Sequence, residues 1–279
     1  MVSGCMPKNK SGKRKRHGIY FSARAKRGRR RAIYAIFFLV FVILVTAYLL
    51  QAFGENKPSG EEHVKRAAIL DGLSLDYPNS SFIDSAKRVL EHAGFMVEVY
   101  SGDNVTLNLL QKLASGDYRL IIFRVHGGRI RQPIGLFIGG GLFIERCSPD
   151  SHRKDIESGY ILLGRPYFSN ATYCVIPPHY ILDKLRGDFK KTVIIAMSCF
   201  TGDDKVLADA FFKRGAEAYI GFKGKVSPPY IDAFTIRLLR KTYVEGLPLE
   251  DAFAEIKEEL GSDPRYGGTP VLYLPRKIT

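Results

Sequence analysis

Two short segments of the chain end in residues that can carry out nucleophilic chemistry. One is an apolar run that leads into His126-Gly-Gly, and the other is an apolar run that leads into Ser-Cys199. A thiol with an ordinary pKa near ~8.5 is mostly protonated at neutral pH, and the thiolate is the attacking form. An imidazole supplies the missing base and can later return the proton to a leaving amine. The two segments therefore predict a cysteine nucleophile assisted by a histidine.

The elements before these residues are expected to bring them together. Residues 119–125 and 192–197 read RLIIFRV and TVIIAM, which predicts strands that are buried on both faces. Such strands belong to parallel sheets, whose carboxyl ends share one edge and hold ligand crevices. Because neighbouring strands lie ~4.8 Å apart, side chains that end adjacent strands can nearly touch. In this arrangement the backbone N–H groups of Gly127, Gly128 and Cys199 can form an oxyanion hole.

Alternating strand and helix patterns extend over residues 64–279 and predict one three-layer α/β domain with an open, mostly parallel sheet. The predicted strands are 67–72, 95–100, 119–125, 192–197, 218–222 and 270–275, and the predicted helices are 81–94, 105–114, 203–214, 229–244 and 249–259. Residues 129–190 interrupt the alternation and are interpreted as an insertion. It is expected to hold hairpin strands in GLFIGGGLFIERC and GYILLGR, with Gly139-Gly-Gly as a turn, and a short helix at 180–187.

These motifs resemble the caspase-fold cysteine peptidases, the group that includes caspases, legumains, gingipains, clostripain, separases and CHAT domains. The resemblance rests on HisGlyGly after one core strand, Ser-Cys-x-Thr-Gly after the next, and the later stretches GLPLEDAFAEIKEEL and GGTPVLYLP. The stretch that begins at Ser198 is most similar to the CHAT and gingipain pattern. The resemblance implies a peptidase with a dyad of His126 as general base and Cys199 as nucleophile, and with Gly127 in the oxyanion hole.

The chain departs from this pattern at one position near the nucleophile. Several members of the group have an acidic residue two positions before the cysteine, where this chain has Met197. A preference for basic side chains in the substrate is therefore not implied. Asp203 and Asp204 are candidates for a substrate pocket, although a helix N-cap is the alternative role for Asp203.

Three functions remain open at this point. A cysteine at a strand end can be a small buried hydrophobe, and a histidine before Gly-Gly can be structural. The domain is then an inactive binding or assembly module. If it is active, the acyl-enzyme is released by water in an endopeptidase, or by an amine in a legumain-like transamidase.

The N-terminal region predicts a membrane anchor. Residues 1–31 contain twelve of the 42 Lys and Arg residues and no acidic residue, whereas the remainder is nearly neutral, with 30 basic and 28 acidic residues. The apolar run at 32–53 spans about 33 Å as a helix, enough to cross a bilayer. The basic side stays cytoplasmic, which places the domain after the linker at 54–63 outside the cytoplasm. A cleaved signal peptide is the alternative. Because the basic excess belongs to the tail, no nucleic-acid partner is expected.

Other residues agree with an exported domain. The chain offers glycosylation sequons at Asn79, Asn104 and Asn170. Cys147 and Cys174 can form a disulfide outside the cell, although two free buried thiols are the alternative. The histidines near them lack the spacing of a zinc site, so neither a metal nor a cofactor is expected. The expected partners are a peptide or protein substrate and the membrane.

Overall fold

The computed structural model describes residues 34, 36–46, 48, 64–131, 137–167 and 169–276. The chain divides into two units, Met1–His63 and Val64–Thr279. In the first unit, the described residues of the predicted membrane segment are helical, and the rest of 32–53 lies outside the described residues, as do the tail at 1–31 and the linker at 54–63. Among the helices that the structure describes, none combines the length and the apolar character needed to cross a membrane.

The described part of the second unit contains ten strands and seven α-helices. The strands are β1 (Lys65–Asp71), β2 (Phe95–Ser101), β3 (Tyr118–Arg124), β4 (Gly127–Arg131), β5 (Phe137–Arg146), β6 (Leu162–Gly164), β7 (Tyr173–Ile176), β8 (Val193–Ala196), β9 (Ala218–Lys223) and β10 (Thr269–Tyr273). The helices are α1 (Ser80–His92), α2 (Leu107–Ala114), α3 (Arg153–Glu157), α4 (Pro178–Asp183), α5 (Val206–Lys213), α6 (Pro228–Tyr243) and α7 (Leu249–Leu260).

Six of these strands form the main sheet, in the order β10-β9-β8-β3-β1-β2. All neighbours are parallel except β10, which runs antiparallel to β9. The chain leaves β1 towards β2 on one side, whereas it leaves β3 towards β8 on the other. The carboxyl ends of β1 and β3 therefore form a topological switch point, where open α/β sheets place their ligand crevices.

Helices cover both faces of the main sheet, as the continuous apolar strands predict. Alternate residues of β3 point to opposite sides: Ile121 and Phe123 join a core with α2, α4 and α5, whereas Leu120 and Ile122 join a core with α1, α6 and α7. These four side chains are fully buried, which agrees with the continuous apolar run in the middle of β3. The structure confirms the predicted α/β class with a mostly parallel open sheet.

The region predicted as an insertion forms a second, four-stranded sheet with the order β4-β5-β7-β6. All of its pairs are antiparallel. The predicted turn at Gly139-Gly-Gly is wrong, because these residues lie inside β5. The glycines are required by close neighbours rather than by a turn: a Cβ on Gly140 would lie 2.7 Å from the carbonyl oxygen of Phe200. The long strand therefore packs Gly140 directly against the loop that follows Cys199.

Candidate functional site

The imidazole of His126 is anchored by a carboxylate that comes from a neighbouring strand end. His126 lies two residues beyond β3, and its Nε2 atom lies 2.8 Å from Oδ2 of Asp76. Asp76 follows β1 after a short 3-10 turn, and β1 and β3 are adjacent in the sheet. The buried hydroxyl of Tyr173 on β7 donates to the same carboxylate oxygen at 3.0 Å. Both sheets thus contribute to the position of this histidine.

The contact with Asp76 determines which imidazole nitrogen can take up a proton. A carboxylate only accepts hydrogen bonds, so Nε2 carries the hydrogen and Nδ1 keeps its lone pair. The rings of Tyr77, Phe143 and Tyr173 meet the imidazole edge-on, with centroid distances of 6.2, 6.4 and 5.7 Å. Burial lowers the pKa of His126 against the opposing effect of Asp76. The imidazole is therefore neutral at pH 7 and available as a base.

Cys199 lies three residues beyond β8, and its thiol is half-buried. Among the cysteines that the structure describes, it is the one that is not in a disulfide. Its Sγ atom lies 3.5 Å from the carbonyl oxygen of Val226, and the Val226 N–H donates to it at 3.4 Å. Burial raises the pKa of the Cys199 thiol, while the bond to Val226 and the charge of Lys225 oppose this rise. The resting sulfur is therefore a protonated thiol that needs a base to become nucleophilic.

The two residues line the same cavity, which has a volume of about 140 Å³. Gly127 lies between them, and a Cβ at this position would collide with the carbonyl oxygen of Cys199. Within the described ranges, the sulfur and the imidazole form no hydrogen bond with each other, because each is bonded to Val226 or to Asp76. Catalytic hydrogen bonds often form only when substrate binds. The structure thus brings the predicted pair to one edge of the sheet without pairing their reactive atoms.

The backbone pattern separates the roles of the two glycines after His126. Phe143 donates its N–H to the carbonyl oxygen of His126, and Gly127 faces Leu142 in the register of β4 and β5. Because hydrogen-bonded and non-hydrogen-bonded pairs alternate in an antiparallel ladder, the Gly127 N–H points away from β5, while that of Gly128 points into the ladder. Gly127 therefore remains a possible oxyanion donor, whereas Gly128 is used by the sheet.

For the peptide cleavage that the sequence predicts, we expect the variant Gly127→Ala to lower kcat/KM by about 100-fold or more. The new Cβ would displace the Cys199 backbone and, with it, the expected oxyanion donors. The matched control is Gly128→Ala, whose Cβ meets the ring of Phe143 at 3.0 Å and can be accommodated by a ring rotation. Its kcat/KM should stay within about tenfold of the unmodified protein. Equal losses in both variants would contradict this assignment of the two glycines.

The turn around Cys199 is held in an unfavourable conformation. Phe200 has a φ of 64°, in the left-handed region that a bulky residue rarely adopts, and its N–H donates to the carbonyl oxygen of Gly224 at 2.8 Å. The hydroxyl of Ser198 is buried and has no hydrogen-bond partner in the described part of the chain. Both features cost stability, and such costs concentrate at functional sites.

The structure places Asp203 and Asp204 outside the cavity. Oδ1 of Asp203 accepts a hydrogen bond from the Gly224 N–H at 2.7 Å, and Oδ2 accepts one from Arg129 at 2.5 Å. Asp204 accepts from the N–H of Val206 at the start of α5. The alternative N-cap role for Asp203 is wrong, because α5 begins at Val206 and the carboxylate instead ties β4 to the loop after β9.

The three sequons lie at different positions on the domain. Asn104 ends a short 3-10 helix and is exposed, and Asn170 is exposed as well. Asn79 caps α1: its Oδ1 accepts from the N–H of Phe82, and its Nδ2 donates to the buried carboxylate of Asp232 at 2.8 Å. The amide nitrogen that a glycan would occupy is thus already used inside the fold at Asn79.

Cys147 and Cys174 form a disulfide, with their Cα atoms 5.1 Å apart. The ligand atoms of Glu145, His152 and Cys174 lie within 4.8 Å of one another, a spacing that could hold a metal. However, the sulfur of Cys174 is in the disulfide, and Nε2 of His152 lies 2.5 Å from Oε1 of Glu145. This cluster therefore connects strands with a loop. It offers a metal ion no thiolate ligand, because the sulfur of Cys174 is already bonded to Cys147.

Asp76 and Tyr173 are the site residues that sequence reasoning missed. Asp76 follows a buried strand, as His126 and Cys199 do, so the rule that parallel strands end at one edge could have identified it. Tyr173 has no such signal, because it belongs to the second sheet and reaches Asp76 across 97 residues of the chain.

We expect Asp76→Asn to lower kcat/KM by about tenfold to 100-fold and to move the acid limb of its pH profile to lower pH. Asp76 is a positioning residue that raises the pKa of His126 against the effect of burial, so its neutral analogue lets that pKa fall further. The pH dependence of kcat/KM measures this shift.

A matched control for this variant is Asp155→Asn, since Asp155 pairs with Lys184 at 2.7 Å and has no contact with the imidazole. Its acid limb should not move. An acid limb that is unchanged in Asp76→Asn would show that the carboxylate does not act on the histidine.

No known family model matches the chain, and no curated protein matches it either. The functional assignment therefore depends on the residues and their geometry.

Proposed function

We propose that the domain is a cysteine endopeptidase in which Cys199 is the nucleophile and His126 is the general base. The observation that carries this proposal is the shared cavity: a free thiol and a neutral imidazole held by Asp76 line it at the switch point of a parallel sheet. Enzymes of several unrelated folds use the same set of nucleophile, base and orienting carboxylate.

The reaction follows from the protonation states of the two side chains. In the proposed reaction the Cys199 thiol leaves its contact with Val226 and gives its proton to Nδ1 of His126 as the sulfur bonds to the substrate carbonyl carbon. The carbonyl π electrons move to the oxygen, where the N–H groups of Gly127 and Cys199 are available as donors. When the tetrahedral intermediate collapses, the C–N bond breaks and the imidazolium gives its proton to the leaving amine. A water molecule then gives a proton to His126 as its oxygen bonds to the thioester carbon. The C–S bond breaks, the carboxylic acid product leaves, and the imidazolium returns the proton to the sulfur of Cys199.

We further propose that the domain belongs to the caspase-fold cysteine peptidases. We also propose that it lies outside the cytoplasm and that residues 32–53 anchor the chain in the membrane. The strand order with one antiparallel edge strand and the placement of His126 and Cys199 after adjacent strands support the first. The disulfide between Cys147 and Cys174 supports the second, because disulfides persist in oxidising compartments. The exposed sequons Asn104 and Asn170 agree with this location.

The proposal is tested by incubating the full-length chain with a peptide library and identifying the products by mass spectrometry. We expect internal cleavage products that disappear after alkylation of Cys199. Products extended by an added amine would instead identify a transamidase. Absence of any product, with Cys199 still alkylated by a small reagent, would favour the inactive binding module and overturn the peptidase assignment.

A further inference from the structure

The cavity beside Cys199 has the walls and the size of a side-chain subsite. Its inner wall consists of the apolar side chains of Leu73, Val125, Met197, Val226 and Ile231. All five are at least 95 % buried, so the wall belongs to the rigid core. A cavity of about 150 Å³ lined by such residues stays dry and binds benzene, which shows what a volume near 140 Å³ can hold.

A basic side chain finds no counter-charge among the residues that line this cavity. None of the described residues that line it is acidic, and the nearby carboxylates already have their hydrogen bonds. Asp76 is bound by His126, Asp232 by Arg124, and Asp263 by the N–H groups of Ser227 and Arg265. A basic side chain would therefore enter without a counter-charge, which is costly in an apolar site.

The mouth of the cavity is positively charged and aromatic. The ammonium group of Lys225 lies 5.3 Å from the ring centre of Tyr167 and 4.5 Å from that of Tyr266, and all three residues line the opening. Burial raises the pKa of Cys199, and the charge of Lys225 opposes this rise, so its field reaches the sulfur. This field adds a second barrier to a basic side chain. An acidic side chain that passes Lys225 loses its hydration against the apolar inner wall, where the Ser198 hydroxyl is the one side-chain donor among the buried lining residues that the structure describes.

We propose that this cavity receives the side chain that precedes the scissile bond and selects an uncharged, apolar one between leucine and phenylalanine in size. This specificity rests on the proposed peptidase function. Met197 is the key position in the wall: it lines the cavity two positions before Cys199 and contributes an apolar side chain without a charge.

The first arm of the test measures labelling of Cys199 in the full-length chain by peptidyl acyloxymethyl ketones that differ only in the residue before the ketone. Intact mass gives the rate for leucine, phenylalanine, alanine, aspartate and arginine probes. We expect leucine and phenylalanine to react about 100-fold faster than aspartate and arginine. A charged probe that reacts as fast as leucine would overturn the specificity and leave the peptidase standing.

A variant that fills the cavity tests its location. Ile231 is 2 % exposed and lines the inner wall, so Ile231→Phe should reduce labelling by the phenylalanine probe about tenfold or more. The alanine probe should still react at the unmodified rate, which shows that the variant is folded. If the phenylalanine and alanine probes kept their unmodified rate ratio, the side chain would bind elsewhere and the proposal would fail.

The second arm separates the subsite from the catalysis. Full-length Cys199→Ala is titrated with peptide amides that differ only at the same position, and binding is measured by fluorescence anisotropy. Preferential binding of leucine and phenylalanine peptides, without any labelling in the first arm, would overturn the peptidase and retain the ligand class. Equal binding of apolar and charged peptides would overturn the ligand class.

Discussion

Replacement of Cys199 by alanine is expected to reduce kcat/KM for peptide cleavage by about 10⁴-fold or more, to the limit of detection. The reason is that the thioester cannot form without the sulfur, while binding and the oxyanion donors alone leave only a small residual rate. The free energy of unfolding should change little, since the thiol is half-buried and its hydrogen bonds to Val226 are weak contacts of sulfur. Initial rates on the best library substrate measure the loss.

Two substitutions of the same kind show whether this loss is specific. Cys5→Ala removes a thiol from the basic N-terminal tail and should leave the rate unchanged. Cys199→Ser keeps the shape of the side chain, but its hydroxyl is a far poorer nucleophile, so activity should remain at least about 10³-fold reduced. If Cys199→Ala kept more than a tenth of the activity, Cys199 would not be the nucleophile.

The variant Arg124→Met should lower the free energy of unfolding by about 3–5 kcal/mol, which is the largest effect on stability that we predict for this protein. Arg124 is fully buried, and its guanidinium bonds both carboxylate oxygens of Asp232 at 2.8 and 2.9 Å and Asp71 at 2.7 Å. Methionine fills a similar volume but leaves two buried carboxylates without their cation. Urea unfolding of the full-length chain measures the difference.

The matched control is Arg237→Met, because Arg237 pairs with Glu259 at 3.1 Å while both side chains are about half exposed. Its effect should stay within about 1 kcal/mol. Burial already raises the pKa of Asp71 against the pull of Arg124, so in Arg124→Met this pKa rises further. The loss of stability should consequently shrink as the pH falls and Asp71 takes up a proton. A loss below about 1 kcal/mol at pH 7 would contradict the role of this cluster.

The same cluster connects the stability of the fold to the position of the base. The Nη2 atom of Arg124 donates to the carbonyl oxygen of Tyr77 at 3.1 Å, directly after Asp76. The loop that carries the orienting carboxylate is thus fastened to the end of β3, two residues before His126. For this reason the activity of Arg124→Met should be compared with that of the unmodified protein at temperatures well below the unfolding transition of the variant.

The hydrophobic pattern of the sequence is sufficient to predict the strands of the main sheet. The strands β1, β3, β8 and β9 are apolar on both faces. This pattern can be read from a few consecutive residues, because a continuous apolar run predicts burial without knowledge of distant parts of the chain. The predicted helices at 81–94, 229–244 and 249–259 likewise match α1, α6 and α7 closely. The second sheet was harder, because β7 has only four residues and β5 contains three glycines that are typical of turns.

The α/β class and the positions of His126 and Cys199 after buried strands can be predicted from the sequence, because both depend on patterns within a few residues. The contacts of Asp76 with the imidazole, of Asp203 with Arg129, and of the thiol with Val226 are visible only in the folded chain. Each of these contacts joins residues that are between 27 and 74 positions apart. Such pairs arise from strand order and side-chain packing, which no local pattern records.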